Sequence, residues 1–167
     1  MSLTHYVFQS TWQVRAPLAD LMPVLYDLES YPAWWPEIRE ARPLGGGRFE
    51  VVARSFLPYE LRFVSEGDEL EPDAGVIDAR LSGDMEGTVR WTVTRLDDAC
   101  RLVYDQEVTT HKRLVNVMAP VARPGFKANH AIMMRHGEAG LRTFMAGYTR
   151  GAAANGSGLS SPAGAVW

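Results

Sequence analysis

The order of hydrophobic periods along this chain of 167 residues restricts its fold more than any other feature. From about Ile38 to Thr110 the sequence is a series of short β-type runs separated by turn signals: Gly45-Gly46-Gly47, Leu57-Pro58, Pro72 to Gly75, Gly83 to Gly87 and Asp97-Asp98. Connections that short leave no room for crossover helices, so about six consecutive strands pairing antiparallel are predicted. The period then changes. Phe126, His130, Met133, Gly137, Leu141, Phe144 and Tyr148 recur at three- and four-residue steps, while Lys127, Arg135, Glu138 and Arg142 lie elsewhere on the wheel. A helix from about Gly125 to Thr149 is predicted, some 37 Å long at 1.5 Å per residue and able to span a whole sheet. Pro120 and Pro124 predict a shorter, broken helical segment before it, from about Lys112.

Ahead of the strand series, His5 to Val14 alternates Phe8, Ser10, Trp12 and Val14 against Val7, Gln9, Thr11 and Gln13, the period of a half-buried strand. Pro17 then opens a helical pattern with an apolar stripe of Leu18, Leu21, Met22 and Leu25, in which Pro23 is early enough only to kink it. Tyr31-Pro32-Ala33-Trp34-Trp35-Pro36 is too rich in proline for more than one short helical turn. One strand, two short helices, six strands and a long terminal helix make an α+β pattern, with helices gathered on one face of a curved antiparallel sheet. One domain is expected over residues 1–150. Residues 151–167, almost wholly Gly, Ala, Ser, Asn and Pro, read as a flexible tail that Trp167 ends, and Met1 to Leu3 as a leader without functional weight.

Charge and cysteine content narrow the function classes. Lys and Arg number 17 against 20 Asp and Glu, a net charge of −3, and no dense basic block tracks a phosphate backbone or anchors to an anionic membrane. Nucleic acid is therefore not an expected partner. Cys100 is the only cysteine, which excludes an intrachain disulfide and a CxxC site and suits a reducing compartment. No stretch approaches 18 apolar residues, so no membrane insertion is expected and a cytoplasmic location is. His5, His111, His130 and His136 show no HxH or HExxH spacing, Gly45 to Gly47 lacks the helix and Lys-Ser/Thr of a phosphate loop, and no GxSxG occurs. Neither a metal nor an organic cofactor is expected. Asp84 and Glu86 read as a solvated hairpin at a glycine-flanked bend.

Strand parity predicts which side chains face the long helix. The apolar set includes Val51, Ala53 and Ser55; Tyr59, Leu61 and Phe63; Ile77, Ala79 and Leu81; Val89 and Trp91; and Tyr104, Gln106 and Val108. The opposite parity collects Glu50, Arg54, Arg62, Asp78, Arg80, Arg90, Asp105 and Glu107. The inward set thus holds hydroxyls, an amide and, from the helix stripe, the imidazole of His130, but no charged side chain. Periodicity is compatible with a dry core and with an apolar cavity carrying a few polar handles, the usual make-up of a small-molecule pocket. Met133 and Met134 suit a deformable lining.

Tyr31-Pro-Ala-Trp34-Trp35-Pro36, Leu57-Pro58-Tyr59, Gly83-Asp-Met-Glu-Gly87 with Trp91 downstream, and Asn129-His130 followed by Met133-Met134 and Gly140-Leu141 carry a resemblance. Over about residues 5 to 149 the sequence resembles the bacterial polyketide cyclase/dehydrase and lipid-transport family of the START-like superfamily. The resemblance implies a helix-grip fold, a seven-stranded sheet wrapped around a long C-terminal helix, with a deep apolar cavity between them for lipids, polyketides, quinones or hormones. It implies a cavity mouth at Trp34 and Trp35. Ligand contacts are then expected from Trp34, Trp35, Ser55, Leu61, Phe63, Leu81, Trp91, Gln106, Phe126, Met133, Met134 and Leu141. Two functions follow: a monomeric or weakly dimeric binding protein for a hydrophobic small molecule, or a cyclase, aromatase or dehydrase acting on a poly-β-ketone. In the second, His130, near its working pKa, with Tyr59 and Tyr104, would manage the proton transfers.

Overall fold

The computed structural model describes residues 5–55, 59–67, 74–111 and 113–156. Strand β1 (His5–Val14) is followed by helix α1 (Leu18–Tyr26), a 3-10 turn at Leu28–Ser30 and helix α2 (Tyr31–Trp34). Six strands follow, β2 (Ile38–Gly45), β3 (Arg48–Arg54), β4 (Glu60–Gly67), β5 (Val76–Gly83), β6 (Met85–Arg95) and β7 (Cys100–Thr110), and then helix α3 (Arg113–Gly156). All seven strands form one antiparallel sheet in the order β1-β7-β6-β5-β4-β3-β2, so only β1 crosses to pair out of sequence. The fold is α+β and helix-grip-like, a curved sheet against a long C-terminal helix.

The local sequence accounts for these elements. Pro17 caps α1 in an extended conformation and Pro23 sits inside the helix without ending it, while Leu21, Met22, Val24 and Leu25 are buried. The β2–β3 hairpin turns through Gly45, Gly46 and Gly47 at φ of 84°, 61° and 70°, a left-handed run that only glycine adopts without strain. Its Leu57-Pro58 counterpart between β3 and β4 lies outside the described residues.

Three expectations change. Helix α3 is one continuous helix from Arg113 through Pro120 and Pro124, not a broken segment followed by a separate helix. Each proline withholds only one backbone N–H, and a helix of 44 residues has neighbouring bonds enough to carry through. The same helix continues to Gly156, so the tail read from residue 151 is helical over its first six residues, where three successive alanines favour propagation. Residues 157–167 lie outside the described set. Asp84, read as part of a solvated hairpin, is half-buried and joins three strands. Its N–H donates to the Arg62 carbonyl (3.0 Å), its carbonyl accepts from His111 N–H (2.9 Å), and its Oδ2 accepts from Arg62 N–H (3.0 Å). At this corner Gly83 pairs with β4 and Met85 with β7, which lets the sheet curl.

Two apolar clusters brace the space between sheet and helix. The larger joins Trp12, Trp91 and Leu102 of the sheet to Leu21, Met22 and Leu25 of α1, Trp34, Trp35, and Leu141 and Met145 of α3. The smaller joins Tyr6, Leu81, Met85 and Val108 to Phe126 near the other end of the helix.

Candidate functional site

Between the clusters lies a cavity of about 200 Å³, walled by the inner faces of all seven strands, by Leu25, Tyr31 and Trp35, and by α3. The strand register explains its polar end. Phe8 of β1 is opposite Gln106 of β7, which is opposite Val89 of β6, and Ser10, Tyr104 and Trp91 form the next row. His130 descends from α3 onto the row of Phe8 and Gln106. Its ring stacks on Phe8 with centroids 3.8 Å apart and planes 8° from parallel, and its Nε2 lies 3.2 Å from Gln106 Oε1. Tyr104 hydroxyl donates to the same Oε1 (3.4 Å), while Gln106 Nε2 donates to the Met85 thioether sulfur (3.4 Å).

Burial sets the protonation of this group. Desolvation lowers the His130 pKa from 6.5 to about 4, so the imidazole is neutral at pH 7. This differs from the expectation of a ring near its working pKa, because no carboxylate on the wall offsets the lost hydration. Burial first, and then the Tyr6 hydroxyl, pushes Tyr59 up to about 12. Burial alone raises Tyr104 further. The described wall therefore carries no net charge: it includes no Asp, Glu, Lys or Arg, and its titratable groups rest in their neutral forms.

Among the residues singled out from sequence, Tyr59, Leu61, Phe63, Leu81, Trp91, Tyr104 and Gln106 line the cavity from the strands, and Phe126, His130, Met133 and Met134 from α3. Trp34, Ser55 and Leu141 do not. Leu141 is wholly buried in the larger cluster, and Ser55 follows the last residue of β3, beyond the wall that Val51 and Ala53 form. The two tryptophans divide the work. Trp34 packs on Tyr31 in the core, whereas Trp35 reaches the cavity and donates its indole N–H to the Met133 carbonyl (3.0 Å).

Sequence reasoning passed over Tyr6, Met85 and Asn129, which also line the wall. Tyr6 shares the parity of Phe8 and was legible. Met85 belongs to the corner that the periods do not resolve. Asn129 is polar on a helix stripe read by its apolar residues; its Nδ2 donates to Met133 Sδ (3.4 Å) and its Oδ1 is buried without a partner among the described residues. Among those residues no three His, Cys, Asp or Glu groups converge to hold a metal ion, and no helix is long and apolar enough to cross a membrane.

Residues 5–143 match the family model described as polyketide cyclase / dehydrase and lipid transport. The chain belongs to that family. No curated protein matches this family member in sequence. Its fold is similar to that of the Zhui aromatase/cyclase from Streptomyces sp. R1128, at a TM-score of 0.68 and 18% identity, covering 84% of this chain and 93% of that one. A START superfamily protein from Mycobacterium smegmatis is as similar, with a TM-score of 0.69, 18% identity and coverage of 85% and 98%. A conserved protein from Geobacillus kaustophilus reaches a TM-score of 0.70 at only 8% identity, covering 84% and 95%. Identities this low carry the fold of the polyketide cyclase/lipid-transport family and leave the chemistry to the residues of each cavity.

Proposed function

We propose that the protein binds an uncharged, largely apolar small molecule of one or two rings in the cavity between sheet and α3. The observation that carries this reading is the uncharged wall: its described residues include no Asp, Glu, Lys or Arg, and the polar groups are an imidazole held neutral, four tyrosine phenols and a few amides and hydroxyls. An ion entering such a space loses its hydration without a counter-charge, at a cost of several kcal/mol. A neutral ring system loses little and gains roughly 25 cal/mol per Å² of apolar surface removed from water. Size points the same way. At about 200 Å³ the cavity exceeds the ~150 Å³ space known to take up benzene and falls below the ~300 Å³ at which pockets for drug-sized ligands begin.

Binding is favoured over turnover because a base with a pKa of about 4 is weak at neutral pH, whereas an efficient general base lies near it. Native mass spectrometry of the freshly purified protein, followed by solvent extraction and identification of the adduct, tests the reading. A stoichiometric neutral compound of one or two rings is expected. An extracted carboxylate, phosphate ester or long-chain lipid would contradict it.

A further inference from the structure

Within the cavity, the hydrogen bonds of three residues fix which way the imidazole can act. Gln106 is the hinge of the arrangement. Its amide has one end that accepts and one that donates, and the two ends are assigned by what each faces. One end faces the Met85 sulfur at 3.4 Å, and a thioether only accepts. The –NH2 end must be there, because a carbonyl oxygen would meet another acceptor. Oε1 is thereby turned to the opposite side, where it lies 3.4 Å from the Tyr104 hydroxyl and 3.2 Å from His130 Nε2. Tyr104, protonated in its buried site, is a competent donor. The His130 ring completes the set only by donating as well, so its one proton sits on Nε2 and is committed to Gln106. Nδ1 keeps its lone pair, on a ring that lines the cavity. The stack on Phe8 holds the ring in this plane.

We infer that Met85, acting through Gln106, holds His130 in the Nε2–H form, so that the cavity offers an acceptor at Nδ1 and selects ligands bearing a hydroxyl or N–H donor over those bearing only a carbonyl or ether oxygen. This rests on the reading that the cavity takes up a small neutral ring compound. In this form His130 does not donate to a ligand carbonyl, since its one proton is already bound. Gln106 and Met85 are positioning residues, and His130 is the group that touches the ligand.

The experiment compares three probes matched in shape, 2-naphthol, 2-methoxynaphthalene and naphthalene, by titration calorimetry at pH 7. Two-bond proton–nitrogen spectra of the ¹⁵N-labelled protein report the His130 tautomer. The spectra are expected to show Nε2 protonated and Nδ1 bare. Naphthol is expected to bind about tenfold more tightly than the ether, the worth of one well-made neutral hydrogen bond. In Gln106→Leu the tautomer is expected to become mixed and the preference for naphthol over the ether to fall below about threefold. An Nδ1–H tautomer in the wild type, or equal affinity for naphthol and ether while naphthalene binds, overturns the inference and leaves the cavity reading intact. Preference and tautomer both unchanged in Gln106→Leu also overturn it. If none of the three probes binds, both the inference and the reading it rests on fail. The wild-type spectra and titrations need no variant, so instability of Gln106→Leu does not remove the test.

Discussion

His130 sits in surroundings far from those its type has in water. Phe8 covers one ring face, and Gln106 and Tyr104 of β7 supply neutral hydrogen-bonding groups rather than a carboxylate. The unfolded chain takes up a proton near pH 6.5, whereas the native ring does so only near 4. Protonation therefore favours the unfolded state between those values. The stability associated with the neutral ring is complete above pH 6.5 and is lost as the pH falls toward 4, by roughly 3 kcal/mol at 1.36 kcal/mol per pH unit. Urea titrations at pH 7 and pH 4 are expected to show His130→Phe losing about 3 kcal/mol less than the wild type across that interval. Equal losses would mean that the ring titrates as it does in water. That a histidine occupies the stripe was legible from spacing; that it is neutral was not, since its pKa depends on Phe8 and on the β7 side chains beneath it.

At the scale of elements, α3 approaches α2 so closely that side chains are excluded. A Cβ at Gly140 would overlap the Trp34 carbonyl oxygen, and one at Gly137 would lie 2.7 Å from Trp35 and 2.8 Å from Trp12. Gly147 has nothing within 4 Å of the same atom. The two kinds of glycine predict opposite outcomes in one helix. Gly140→Ala must push α3 away from α2 and is expected to cost about 2–3 kcal/mol, the upper range for overpacking. Gly147→Ala removes backbone freedom from the unfolded chain without a clash and is expected to gain about 0.5–1 kcal/mol. Chemical denaturation of both variants checks this, and a neutral Gly140→Ala would place the helices further apart. Periodicity assigned Gly137 to the apolar stripe, but the reason for glycine at 140 is a backbone carbonyl brought from α2, which no local pattern contains. The prolines of α3 make the same point in reverse. Judged locally they predict a break, yet the helix carries through them to Gly156.

For the whole molecule, the consequential feature is that two packed clusters hold sheet and helix apart between them. Filling the gap should therefore affect binding and stability differently. Ala79 lines the cavity from β5, and Ala79→Phe would place a ring in the space proposed for the ligand. It is expected to weaken binding of naphthalene at least tenfold while leaving the thermal midpoint without ligand unchanged or slightly raised, as a filled void does. A midpoint lowered by many degrees would show that the space is already close-packed. The succession of strands along the chain, the short helices, the terminal helix and the outward set of charges were legible in the sequence, because each follows from a local period of two or of 3.6 residues and from proline and glycine as punctuation. The gap between the clusters, the choice of Trp35 rather than Trp34 for its wall, and the neutral, singly oriented His130 were decided only by the tertiary structure. Periodicity says which face of an element is apolar, but how closely two apolar faces approach depends on contacts between residues far apart in the chain.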